Sequence, residues 1–140
     1  RRPPRSTLFP YTTLFRSERE MIVVATSAAN QCQYCVIAHG AILRIRAKSP
    51  EIADQIAINY RKADITPRQR GMLDFAMKVS RAAEEVSEAD FAALAAHGFS
   101  DDDVWDIAAV AAFFALSNRL ANVTGMRPNP EFYMLGRQPK

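Results

Sequence analysis

The chain has 140 residues, enough for one domain with its own core. Apolar residues make up 49%, only five glycines occur, and Ala, Leu, Ile, Val and Phe recur at helical spacing. Disordered and all-β classes are thereby excluded in favour of an all-α globular fold, a compact bundle of about six helices. The net charge of +3 sits at one end: residues 1–16 hold Arg1, Arg2, Arg5 and Arg16 and no acid, so removing these four charges leaves −1 for the rest. Short basic groups such as Arg44, Arg46 and Lys48 have no interleaved aromatic residues, and a nucleic-acid surface is not expected.

Residues 1–16 stand apart, with three prolines and Thr-Leu-Phe repeated at 7–9 and 13–15. An Arg- and Ser/Thr-rich, acid-free stretch resembles a transit peptide. It resembles translated sequencing-adapter sequence more closely. Residues 1–16 are therefore read as a non-native or disordered leader and 17–140 as the helical domain.

From Ser17 the punctuation is helical. Ser17-x-x-Glu20 reads as a capping box opening a helix through Ala29, and Asn30-Gln31 breaks it. A second helix runs from near Cys32 to about Lys48. Ser49-Pro50-Glu51 predicts a third, to about Tyr60, and Thr66-Pro67 a fourth, to about Ala83. Ser87-x-x-Asp90 opens a short helix that His97-Gly98 closes. Ser100 with Asp101, Asp102 and Asp103 starts a long helix ending before Gly125, since acids complement a helix N-terminus. The tail from Arg127, rich in proline, is expected to be extended.

The long helix is apolar around most of its circumference, including Val104, Trp105, Ile107, Val110, Phe113, Phe114, Leu116 and Leu120. In so small a domain part of that surface would be buried by another subunit, which makes Trp105, Phe113 and Phe114 core or interface residues. The longest apolar run, Ile107–Leu116, is shorter than a bilayer span requires, and no secretory signal is recognisable, so no membrane partner is expected. With both cysteines inside one four-residue stretch, the chain reads as cytoplasmic rather than as a disulfide scaffold.

The chemistry concentrates on Cys32, Cys35 and His39, at i, i+3 and i+7 on one helical stripe. The cysteines fall in a first turn, where free N–H groups and the helix dipole favour a thiolate, and His39 could take or relay the proton. A redox dithiol is one reading. Buried structural cysteines are a second. Zinc is a third, although it needs a fourth ligand from Glu20 or His97. From spacing alone, capping suffices to explain Glu20, His97 reads as a helix-end residue, and Tyr34 points off the stripe to line a pocket.

The stretch from Glu20 to His39 resembles the signature of the alkylhydroperoxidase D family, in the carboxymuconolactone decarboxylase superfamily. The pattern is a Glu twelve residues before the first Cys, then C-x-x-C, then a His four residues after the second, and all four positions match. Cys32-Gln33-Tyr34-Cys35 and the ending Pro128–Arg137 are most similar to the branch of peroxidase-related enzymes. Some members carry a His inside C-x-x-C where Tyr34 stands here, and members usually extend further upstream. The resemblance implies an all-α fold, trimers or hexamers, and reduction of hydroperoxides without cofactor or metal. It implies that Cys35 attacks the peroxide, Cys32 resolves the sulfenate as a disulfide, Glu20 and His39 relay the proton, and a thiol or lipoyl-type partner restores the dithiol. A decarboxylase-like reaction of the same superfamily and a non-catalytic redox-sensing oligomeric module are the alternatives. The first of these does not depend on a C-x-x-C.

Overall fold

Three of the helix starts follow from local chemistry in the sequence. In the computed structural model, which describes residues 14–138, Thr66 caps α4 (Pro67–Ala82), its Oγ1 accepting from the Gln69 N–H at 3.1 Å. Ser87 precedes α5 (Glu88–Ala96), and the Asp90 carboxylate accepts from the Ser87 N–H at 2.8 Å. Ser100 and Asp103 form the same reciprocal pair at the start of α6 (Asp101–Val123). Each pair satisfies backbone donors that a helix start leaves unpaired. Gly98, at φ +82°, lets the chain leave α5.

Two starts lie elsewhere than the sequence predicts. The first helix, α1, spans Arg16–Ala29, and its opening N–H, that of Phe15, donates to Glu18 Oε2 at 3.0 Å. Ser17-x-x-Glu20 is thus not the capping box. Glu18 performs that function two residues earlier, and Glu20 is freed to face inward. Leu14 is already in the core, so the fold begins before Ser17. The leader expected over residues 1–16 loses its last three positions to the domain, and residues 1–13 lie outside the described part. After α2 (Gln33–Ala47), Lys48 turns left-handed at φ 53° and the Ser49 N–H closes the helix onto the Arg44 carbonyl. Ser49 and Pro50 are used by that turn, and α3 (Ile52–Asn59) starts later than expected.

α1 is the central element, packed against α2, α3, α4 and α6. Met21 through Ala25 are all buried, as are Thr26 and Ser27 beyond them. Each large aliphatic side chain in this set contributes about 1.5–3 kcal/mol of burial. Polar groups on α1 are accommodated by partners: Thr26 Oγ1 donates to the Ile22 carbonyl at 2.8 Å, and Glu18 pairs with Arg68 of α4. Among the described residues α6 alone is long and apolar enough to cross a bilayer by composition. Here it packs on α1, α2, α4 and α5, with Asp106 and Asn118 turned into the bundle.

The tail is not extended. Pro130–Tyr133 forms a 3-10 turn against α2, where buried Arg44 donates to the Phe132 and Leu135 carbonyls, both at 2.8 Å. Arg137 pairs with Asp54 of α3. Gly136, at φ +75°, passes so close to α2 that a Cβ there would meet the Arg44 Cβ at 2.8 Å.

Asp90 links α5 to α4 through Lys78, and the Lys78 hydrogen bond, then the Ser87 N–H, hold its carboxyl below the ordinary value. A depressed carboxyl contributes stability above its unfolded pKa and loses it as pH falls through the folded value. Asp90→Ala should lower the unfolding free energy by about 1 kcal/mol at pH 7. Denaturant titrations should show that difference shrinking once pH drops below about 3.9; a gap that persists undiminished in acid would contradict this role.

Candidate functional site

The turn between α1 and α2 places the cysteines. Gln31 adopts a left-handed φ of 52°, which returns the chain so that the Cys32 N–H donates to the Ser27 carbonyl at 2.9 Å. Cys32 then caps α2, its Sγ accepting from the Cys35 N–H at 3.4 Å. Both thiols are free, and they are 1% and 2% exposed. Ala121 of α6 packs on them, with Tyr34 and Phe114 at the margin.

His39 follows Cys35 by one turn of the same continuous helix, so the two share a face. Its Nδ1 lies 2.8 Å from Glu20 Oε2 on α1. The other carboxylate oxygen, Oε1, accepts from Arg46 Nη1 at 2.7 Å. Glu20 is 10% exposed at its side chain and His39 25%, leaving the imidazole an edge toward solvent. Phe114 meets the imidazole edge-on at 4.8 Å and also borders the cysteine pair, so one aromatic ring touches both parts of the site.

Burial above all, and then the hydrogen bond with Cys32, push the Cys35 thiol up from its ordinary value, while hydrogen bonds from Asn118 and Ser117 pull it down. Burial thus works against the thiolate that the helix start is expected to favour. Such a thiol needs a proton acceptor at hand.

Cys32, Cys35, His39 and Glu20 are thus brought together from α1, α2 and the turn between them. His97 is not. It ends α5 and lines a separate cleft with Gly71, Lys78 and Asp90. Glu20 is occupied by His39 and Arg46, so neither residue completes a zinc set with the cysteines, and among the described residues no group of three or more His, Cys, Asp or Glu side chains could hold a metal. Arg46 and Asn118 were not anticipated. Arg46 lies seven residues after His39 on the same stripe, and Asn118 is a polar residue within an otherwise apolar face of α6; both signals are visible only once the partner helix is known.

The sequence profile of the carboxymuconolactone decarboxylase family matches residues 7–60, a stretch that holds all four residues of the site. No curated protein matches the sequence. Among solved structures, the alkylhydroperoxidase AhpD core of an uncharacterized peroxidase-related protein from Ralstonia eutropha JMP134 is 68% identical with a TM-score of 0.92, covering 93% of this chain and 68% of that one. An uncharacterized peroxidase-related protein from Silicibacter sp. TM1040 is 45% identical with a TM-score of 0.89 over the same shares. A protein of unknown function from Agrobacterium tumefaciens, 23% identical with a TM-score of 0.73 over 84% of this chain and 80% of its own, shares the fold. The all-α bundle, the signature from Glu20 to His39 and the identity over two thirds of a peroxidase-related relative together establish that this chain belongs to the carboxymuconolactone decarboxylase family.

Proposed function

We propose that the protein is a cofactor-free thiol peroxidase working through Cys35 and Cys32. The observation that carries this reading is a buried dithiol at the start of α2 beside a histidine that a buried carboxylate holds in place. The names of the similar proteins, which associate them with peroxidase function, support it. In the first step His39, oriented by Glu20, accepts the Cys35 proton, and the thiolate attacks the outer oxygen of a hydroperoxide ROOH. An S–O bond forms, the O–O bond breaks, and the leaving RO⁻ takes a proton from the relay to depart as ROH. Cys32 then attacks the Cys35 sulfur; the S–S bond forms and the oxygen leaves as water. A thiol or lipoyl-type dithiol supplies two electrons and two protons to reopen the disulfide.

A homo-oligomer, trimer or hexamer, accompanies this reading, as does a cytoplasmic setting in which the dithiol stays reduced. Trp105, Phe113, Leu116 and Leu120 stand 47–63% exposed along α6. Phe113, Leu116 and Leu120 border an apolar cleft of about 340 Å³ that Tyr34 also lines. Exposed apolar surface of this kind on one helix is what a subunit contact covers. Leu120→Glu should shift the mass measured by sedimentation toward monomer; an unchanged assembly would place the contact elsewhere.

Turnover separates the peroxidase from its rivals. With excess dithiol reductant, the chain should consume hydroperoxide over many cycles, Cys35→Ser should abolish consumption, and Cys32→Ser should stop after about one equivalent per chain. A single stoichiometric oxidation of the intact dithiol despite reductant would instead support a sensor. Failure of both cysteine variants to alter a decarboxylation of an organic acid would favour the decarboxylase-like alternative.

A further inference from the structure

Asn118 is fully buried in the middle of the α6 stripe whose neighbours, Phe114 and Ala121, pack on the cysteine pair. A buried amide must account for two donors and an acceptor. One Nδ2 proton goes to Ser27 Oγ at 2.9 Å, and Oδ1 accepts from Asn30 Nδ2 at 3.0 Å. Asn122 reaches the Asn30 carbonyl from the next turn. These bonds tie α6 to the end of α1 and to the residue just before the cysteine turn, and they fix which way the amide faces. One donor remains.

We infer that Asn118 is a further functional residue of the thiol site, its remaining amide N–H donating to Cys35 Sγ and, once the sulfur is oxidised, to the sulfenate oxygen. This extension rests on the peroxidase reading only for the sulfenate; the bond to sulfur stands without it. Two observations support it. Asn118 lies one turn from both Phe114 and Ala121, which pack on the cysteine pair, and a donor there, like one at its neighbour Ser117, favours the charged form of Cys35. Further, no lysine or arginine among the described residues acts on Cys35, so beside His39 the neutral donors of α6 are what can offset the cost of burying a thiolate. The groups facing Cys35 are Cys32 from the turn, Tyr34 and His39 from α2, Ser117 and Asn118 from α6, and Glu20 of α1 through His39.

Alkylation tests this without any peroxide. In a Cys32→Ser background, Cys35 is titrated with iodoacetamide across pH, and folding is followed separately by circular dichroism and thermal melting. Asn118→Leu should reduce the rate near neutral pH about tenfold or more, the scale of a lost hydrogen bond to a charged group, and move the profile to higher pH. Asn118→Asp keeps the shape, places a carboxylate at the sulfur, and should reduce the rate further. Lower stability with an unmoved alkylation profile in either folded variant would overturn the assignment. If neither variant folds, the side-chain amide NMR signal of Asn118 in the Cys32→Ser chain decides: it should follow Cys35 ionisation, and indifference to it would overturn the assignment equally. A chain that passes these tests but turns over no peroxide would refute the peroxidase reading and leave the Asn118–Cys35 bond standing.

Discussion

Glu20 is a carboxylate largely withdrawn from water in the middle of the central helix, and two partners from the facing helix divide it. His39 takes one oxygen and Arg46 the other. A buried carboxylate without such partners would carry a desolvation cost of several kcal/mol. The pairing therefore fixes the register of α1 against α2, and that register sets where the intervening turn delivers Cys32 and Cys35. Arg46, 39% exposed, anchors the pair at its solvent edge, while Phe114 closes the inner side. The cysteine–histidine face and the core packing are in this sense one construction.

A second consequence concerns the thiol. Placing Cys35 at 2% exposure makes its ionised form costly. Polar neighbours are arranged against that cost: Asn118 and Ser117 of α6 favour the charged form, and His39 stands one turn along α2. In the proposed mechanism, activation then depends on proton movement more than on a standing positive charge.

Much of this was legible in the sequence where the signal is local. The caps at Thr66, Ser87 and Ser100 involve partners three residues away, and those starts were readable to within a residue. The spacing of Cys32, Cys35 and His39 along one helix is equally local. Ser17-x-x-Glu20 misled because two glutamates lie two residues apart, and only tertiary packing decides that Glu18 caps while Glu20 turns inward. The tail was read as extended because its prolines dominate; its docking depends on Arg44, a residue some 90 positions away that donates to two carbonyls. Arg46 and Asn118 were hidden for the same reason, since each matters through a partner on another helix.

The central claim is that the buried Cys35 thiol depends on the Glu20–His39 pair to lose its proton. The pH dependence of the single-turnover rate of Cys35 oxidation by peroxide, compared between the wild type and Glu20→Gln, tests it most directly. The substitution keeps shape and hydrogen-bonding capacity while removing the charge. The rate at neutral pH should fall by roughly 10²-fold or more and recover toward the wild type as the thiol ionises unaided at high pH. A neutral-pH rate equal to the wild type, in a variant of unchanged fold, would contradict the account.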